Sequence, residues 1–188
     1  ANPNERDRCG CGESFRVYMI IKRYNYTPIN RETIDGKRHY CLPDGSKVPS
    51  VTTILDATKS QEKIDALNSW RKRVGEENAK QIVTEAANVG TVMHAILENY
   101  VKNQEYDPGN NIVHKQAKAM AAEVIRNIEP HLDEVWGSEV NLCYPQVYAG
   151  TTDLVDFWKG KPCILDFKQT NKPQKREWID DYFMQVAA

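Results

Sequence analysis

Two aspartates and a lysine near the end of the sequence have the types and spacing that metal-assisted hydrolysis requires. Asp153 lies in the strand-like segment 151–158, and Asp166 and Lys168 lie in the segment 163–168. Alternate side chains of a strand point to opposite faces, so Asp166 and Lys168 share one face. A hairpin pairing of the two segments would bring Asp153 to the same face. Two carboxylates and an amine placed there could hold a divalent cation beside a phosphodiester and deprotonate a water.

The spacing of these residues favours the hairpin. Asp153 and Asp166 are 13 positions apart, which is the length of two short strands and the tight turn KGKP (159–162). The apolar run Cys-Ile-Leu (163–165) ends in charge, which is typical of a strand that leaves a core at a site. A D-x-K triplet alone is a weak signal, and a surface Asp–Lys pair on an edge strand is the alternative.

Further polar residues accompany the triplet in a fixed order. His94 and Glu98 are four positions apart in GTVMHAILE (90–98) and therefore share one face of a helix. Glu139 opens the first predicted strand, and Gln185 lies in the last predicted helix. Each has an ordinary alternative, namely a hydrogen-bonded core histidine, a solvated acid or a surface amide. Their joint order favours a common site.

This ordered set resembles the PD-(D/E)xK nuclease superfamily in its RecB-like branch. It is most similar to the exonucleases related to the mitochondrial genome-maintenance exonuclease and its phage relatives. VPSVTTIL (48–55) and GTVMHAILE (90–98) also resemble segments of that family, and the resemblance covers about residues 38–188. It implies a restriction-endonuclease-like core, in which helices flank a small mixed β-sheet. It also implies a metal-dependent DNA exonuclease acting on single-stranded DNA or DNA ends. The alternatives are a structure-specific endonuclease on the same core and a catalytically decayed nucleic-acid-binding module.

The resemblance also implies roles for individual residues. The catalytic set would be Asp153, Asp166, Lys168 and Gln185, with Lys168 orienting or deprotonating the attacking water. The ligands of Mg²⁺ or Mn²⁺ would be Asp153, Asp166, the backbone carbonyl of Phe167, His94 and Glu98. Gln185 would match the glutamine of the family motif Q-x-x-x-Y, whose tyrosine falls beyond Ala188, so we expect a truncated C-terminus. No cysteine follows Cys163, so we expect no iron–sulfur cluster.

Contacts to DNA must come from local basic clusters, because the formal net charge of the chain is only −1. Such clusters occur at residues 22–23, at residues 71–73 and between residues 172 and 176. We expect Ser50, Thr170 and Lys172 to hold the DNA backbone by hydrogen bonds and charge. The alternative is ordinary solvated loop charge.

The elements that must position these residues follow from periodicity and turn signals. Helical spacing begins after the N-cap Ser60 and ends at Gly75, and the order of elements predicts an α+β fold. Further helices are predicted at about 76–87, 90–103, 112–135 and 175–188, and strands at 15–26, 138–149, 151–158 and 163–168.

Residues 1–37 would form an N-terminal arm and strand, and 38–188 a nuclease domain. Within it a helical wall would span about 60–136, and the catalytic core about 88–103 and 138–188.

The bulk composition is that of a soluble globular protein. The chain has 188 residues, of which 40% are hydrophobic and 27% charged. It has no apolar run of the roughly 20 residues that span a bilayer, and no signal peptide is visible. We therefore expect an intracellular protein without membrane partners, in a bacterial or phage-infected cell, or in mitochondria if the source is eukaryotic. The five cysteines, an odd number, argue against a disulfide scaffold.

Overall fold

The computed structural model describes residues 20–170 and 172–188, together with the backbone of two short strands before them. The predicted α+β class is confirmed. In chain order the elements are β1 (Asp7–Arg8), β2 (Ser14–Phe15), β3 (Asn30–Ile34), β4 (Lys37–Cys41), β5 (Lys47–Pro49), α1 (Val51–Ala57), α2 (Gln61–Val74), α3 (Glu76–Val101), α4 (Ile112–Ile128), β6 (Leu132–Tyr144), β7 (Tyr148–Trp158), β8 (Lys161–Leu165), a 3₁₀ helix (Arg176–Trp178) and α5 (Asp180–Ala187). Two three-stranded sheets have the orders β3-β4-β5 and β6-β7-β8, and β1 pairs with β2.

The chain divides into two compact units, and each is built from separate stretches of sequence. The first unit comprises Ala1–Asn25, Asn88–Val140 and Asp153–Gln169. The second comprises Tyr26–Ala87, Asn141–Thr152 and Thr170–Ala188. Each unit has its own buried apolar cluster.

The core of the first unit joins two helices to strands. α3 contributes Val89, Met93, Leu97 and Val101, whose spacing of four residues places them on one helix face. The other buried members are Ala117, Ala121, Ile128, Leu132, Val135, Leu154 and Phe167. Truncating a large side chain of this core, such as Leu97 or Leu132, to alanine would cost about 2–5 kcal/mol of stability. His94 directly follows the buried Met93, so this packing holds the imidazole at the margin of the core.

The second unit is built around the sheet β3-β4-β5. Its buried cluster contains Ile29, Tyr40, Leu42, Val48 and Ala149. The predicted turn at Asp35-Gly36 is confirmed: φ is +49° at Asp35 and +74° at Gly36. Both values are positive, as a two-residue hairpin turn requires. The register, in which Ile34 pairs with Lys37, leaves only these two residues in the loop.

α2 matches its prediction at both ends. The Ser60 side chain accepts a hydrogen bond from the Lys63 backbone N–H, and Gly75 ends the helix with φ +85°. A glycine adopts this backbone without a Cβ clash, which explains why the helix stops there.

The two helices predicted at 76–87 and 90–103 form one continuous helix, so the expected break before Gly90 was wrong. A glycine inside a helix costs only about 1 kcal/mol relative to alanine, and tertiary packing offsets that cost. A Cβ atom at Gly90 would lie 3.3 Å from Oε1 of Gln169. The glycine therefore permits a close approach between the helix and the segment after β8.

The predicted helix at 112–135 ends at Ile128, and β6 begins at Leu132, six residues before the predicted start of that strand. Ile125, Ile128, Leu132 and Val135 recur at spacings of three and four residues. The helical period thus continues by coincidence into a strand that buries Leu132 and Val135 in the same core. Periodicity alone does not separate the two structures here.

The described part of the segment 15–26, which was predicted as one strand, does not form a regular strand. Ser14–Phe15 lies in β2, Ile20 forms a single parallel bridge to Val135, and residues 21–26 are outside any strand. The Arg23 N–H donates to the Ile21 carbonyl at 2.8 Å, a three-residue turn that ends extended pairing. Residues 16–19 lie outside the described part of the chain, as do Cys9 and Cys11.

The hairpin of β7 and β8 is the feature of the fold that matters most for the site. Lys159 and Gly160 have φ of +49° and +77° and form its two-residue turn. Trp158 pairs with Lys161, and the ladder continues to Leu154 opposite Leu165. The predicted hairpin pairing is therefore confirmed, and it delivers residues 153 and 166 to the same end of the two strands.

None of the described helices has the length and hydropathy of a membrane span.

Candidate active site

Three side chains from three different elements meet in the first unit. His94 comes from α3, Glu139 from β6 and Asp153 from β7. One potential ligand atom of each lies within 4.8 Å of those of the other two. We call this group the His–Glu–Asp cluster. The pocket around it is also lined by Glu98, Ser138, Leu154 and Phe167.

Asp153 connects the cluster to the backbone after β8. Its Oδ1 lies 3.0 Å from Nδ1 of His94, and its Oδ2 accepts a hydrogen bond from the Phe167 backbone N–H. The bond to Asp153 raises the pKa of His94, and burial of the imidazole opposes this effect. Both carboxylate oxygens are thus held in place, which fixes the orientation of the imidazole as well.

Glu139 enters the cluster through an unusual backbone conformation. Its φ is +52°, in the left-handed region, although it lies inside β6. This conformation costs a residue with a Cβ atom roughly 1–2 kcal/mol. Burial, followed by the charges of Asp153 and Glu98, raises the pKa of Glu139. The sequence placed Glu139 among the candidate site residues but gave it no ligand role, because no sequence pattern indicates a glutamate with positive φ.

Asp166 and Lys168 form an ion pair at the end of β8, as their placement on one face predicts. The Asp166 side chain is only 9% exposed. Burial raises the pKa of Asp166, Lys168 lowers it, and the charge of Asp153 raises it further. The two aspartates therefore influence each other electrostatically. The His–Glu–Asp cluster itself does not include Asp166, whose role as a metal ligand stays a prediction.

Glu98 lines the pocket one helical turn after His94, as the spacing predicts. Its carboxylate forms an ion pair with Lys102, the residue directly after the end of α3. Glu98 is not a member of the His–Glu–Asp cluster, and its pairing with Lys102 occupies one of its oxygens. A ligand role for Glu98 and for the Phe167 carbonyl stays a prediction.

The remaining predicted site residues belong to the second unit. Gln185 is half-buried in α5. Ser50 is 2% exposed and is the N-cap of α1, where its hydroxyl accepts from the Thr53 N–H at 3.0 Å. Thr170 is exposed, and its hydroxyl donates to the Lys172 carbonyl at 2.6 Å, which forms a local turn. Capping of α1 is a structural explanation for Ser50, and its DNA contact stays a prediction.

The donor set of the cluster fits a divalent cation. Two carboxylates supply hard oxygen ligands, and the imidazole favours Mn²⁺ somewhat over Mg²⁺. The mutual repulsion of the Glu139 and Asp153 charges contributes to the raised pKa of Glu139. A cation bound between them would relieve this repulsion and favour the ionised form of Glu139.

Comparison with characterised proteins finds a group of exonucleases that are similar to this chain. They share the name mitochondrial genome maintenance exonuclease 1. The human protein is 25% identical over 135 residues, which cover 68% of this chain and 38% of the relative. The mouse protein is 28% identical over 160 residues, covering 78% and 46%, and the Xenopus tropicalis protein is 22% identical over 184 residues, covering 92% and 50%. The chain thus spans half or less of the length of these relatives. No family model matches the sequence.

Proposed function

We propose that this chain is a divalent-metal-dependent DNA exonuclease of the RecB-like PD-(D/E)xK type. The observation that carries the proposal is the His–Glu–Asp cluster, which lies in the same unit as the Asp166–Lys168 ion pair. The similarity to proteins named mitochondrial genome maintenance exonuclease 1 supports the reaction class. Single-stranded DNA or DNA ends are the substrates that we propose, inside the cell.

Each side chain has a defined task in this proposal. His94, Glu139 and Asp153 would hold Mn²⁺ or Mg²⁺, and Asp166 would act as a further carboxylate ligand. The bound cation supplies charge neutralisation at the phosphate and a more acidic water. Lys168, as an ammonium beside Asp166, can donate hydrogen bonds to a water and to a phosphate oxygen. Asp153 orients His94, and the Phe167 N–H orients Asp153.

Binding of the DNA backbone is assigned to the second unit in this proposal. Lys172 and Thr170 are exposed and lie directly after the segment that carries Lys168. Gln185 is included in the proposed catalytic set because it matches the glutamine of the family motif Q-x-x-x-Y. Ser50 would contribute to DNA binding at the N-terminus of α1, the helix that it caps.

The proposal is tested with single-stranded oligonucleotides labelled at the 5′ or the 3′ end, incubated with Mn²⁺ or Mg²⁺ or with EDTA. We expect stepwise shortening that requires the cation. Asp153→Asn and Lys168→Ala should each lower the rate by at least about 100-fold, because each removes a group that acts on the cation or on the water. Asp65→Asn, at an exposed position of α2, is the matched control and should retain full activity.

The form of the DNA substrate and its cleavage distinguish the exonuclease from the two alternative functions. Cleavage of a circular single strand would show an endonuclease on the same core. DNA binding without any cation-dependent cleavage would show a decayed site. Full activity of Lys168→Ala would remove the catalytic assignment altogether.

A further inference from the structure

Ser138 has a hydroxyl group that the proposed reaction does not yet use. Its Oγ is buried and has no hydrogen-bond partner in the described part of the chain. Ser138 also lines the pocket around the His–Glu–Asp cluster. A buried hydroxyl without a partner costs about 1–3 kcal/mol, so its position calls for an explanation.

The backbone of β6 explains how Ser138 reaches the pocket. Consecutive side chains of a regular strand point to opposite faces. Ser138 and Glu139 are consecutive, and yet both line the same pocket. The left-handed backbone at Glu139 interrupts the pleat, as a β-bulge does. The same strained residue therefore brings both a carboxylate and a hydroxyl to the cluster.

The other polar groups around Ser138 are engaged or charged. His94 and Asp153 are bonded to each other, and Glu98 is paired with Lys102. Ser138 supplies the one hydroxyl among the described residues that line this pocket. A hydroxyl can donate to a phosphate oxygen or accept from a water, whereas a carboxylate would repel the phosphate.

We propose that the Ser138 hydroxyl hydrogen-bonds an oxygen atom bound beside the His–Glu–Asp cluster. This oxygen belongs either to a water that accompanies the divalent cation or to the phosphate of the DNA. Ser138 is then a positioning residue for the ligand, and its missing partner is supplied on binding. The inference rests on the proposed nuclease function.

The test compares Ser138→Ala with Ser138→Thr, which keeps the hydroxyl. Mn²⁺ affinity is measured by calorimetry without DNA. Affinity for a labelled single-stranded oligonucleotide is measured with Mn²⁺ in the cleavage-deficient Lys168→Ala background. We expect Ser138→Ala to weaken one of the two affinities by about tenfold, the value for losing a hydrogen bond to a charged group. Ser138→Thr should retain most of both.

A stability measurement gives a second readout that is independent of activity. In metal-free protein, Ser138→Ala removes an unsatisfied polar group, and its Tm should rise by about 2–4 °C. Ser138→Cys has a similar size but a weak donor, so it replaces Ser138→Ala if that variant does not fold, and should show the same loss of affinity.

The outcomes separate the two sources of oxygen. Weaker Mn²⁺ binding without DNA identifies a water, and weaker DNA binding alone identifies the phosphate. Unchanged affinities in both assays overturn the role of Ser138, even if the Tm rises. If the parent protein binds no Mn²⁺ and cleaves no DNA, the proposed function itself fails, and that failure is seen before any Ser138 variant is made.

Discussion

Asp156 is a buried carboxylic acid on the face of β7 opposite to Asp153, because the two positions differ by three residues. It is 0% exposed, and neither of its oxygens has a hydrogen-bond partner among the described residues. Burial raises the pKa of Asp156 to about 7. An aspartate in the unfolded chain titrates near 3.9. Between these two pH values the folded protein therefore binds more protons than the unfolded chain.

This difference predicts that metal-free protein loses stability as the pH rises from about 4 to about 7 and then levels off. Asp156→Asn removes the titration and should stabilise the protein at pH 8 by on the order of 4 kcal/mol. Urea unfolding at pH 5 and pH 8 measures the effect. The control Asp65→Asn changes an exposed aspartate and should leave the pH dependence intact. An Asp156→Asn protein with the slope of the parent would contradict the prediction.

Glu139 combines a strained backbone with a charge in the pocket, and two substitutions separate these properties. Glu139→Gly and Glu139→Ala both remove the carboxylate, but only glycine tolerates φ of +52° without a Cβ clash. We expect the glycine variant to be more stable than the alanine variant by about 1 kcal/mol. Both should lose Mn²⁺ affinity. Chemical unfolding without metal, and calorimetry with it, measure the two effects; equal stability of both variants would argue against backbone strain.

Residue types and spacing were sufficient to predict the Asp166–Lys168 pair on one face and the hairpin that brings Asp153 to the same end of the strands. The place of His94 beside Asp153 was implied only by the family resemblance. Residue types and spacing did not predict that Glu139, rather than Glu98, would join His94 and Asp153. Glu98 lies four residues after His94 and so shares a helix face with it, which favoured Glu98 as a ligand. Its carboxylate, however, forms an ion pair with Lys102. Glu139 depends on a left-handed φ inside a strand, and a sequence carries no direct signal for that conformation.

At the scale of elements, α3 is the helix that positions His94, and its continuity through Gly90 can be tested. A Cβ at Gly90 would meet Oε1 of Gln169 at 3.3 Å, and this oxygen is the end of a flexible side chain. Because alanine favours a helix by about 1 kcal/mol over glycine, we expect Gly90→Ala to be slightly stabilising. When Gly90→Ala is combined with Gln169→Ala, the two changes in the free energy of unfolding should add, or the double variant should be more stable than their sum. A loss of more than about 1 kcal/mol in Gly90→Ala alone would show that the close approach is rigid.

Local signals predicted those elements whose ends carry capping or turn chemistry. Ser60 and Gly75 bound α2, and Asp35-Gly36 forms the β3–β4 turn. Boundaries without such chemistry were predicted poorly. The start of β6 was missed because its buried residues continue the helical spacing of α4, and only tertiary packing decides between helix and strand there.

At the scale of the whole molecule, charge decides where DNA can bind. The net charge is only −1, and the proposed catalytic pocket is lined by several carboxylates. Attraction for the phosphate backbone must therefore come from separate basic surfaces and from the bound cation. The exposed segments at residues 71–73 on α2 and at 172–176 are the two candidates in the second unit.

Salt dependence distinguishes these two surfaces. Each phosphate contact adds about 0.7 to the slope of log K against log salt concentration for single strands. If Lys172 contacts the backbone, Lys172→Ala should lower the slope by roughly that amount and weaken binding to all sequences alike. Lys80→Ala, on an exposed face of α3, should leave the slope unchanged. Binding is measured by fluorescence anisotropy in the Lys168→Ala background. Should the slope respond to Arg71→Ala and Lys72→Ala but not to Lys172→Ala, the DNA backbone is held by α2, and the assignment of Lys172 is wrong.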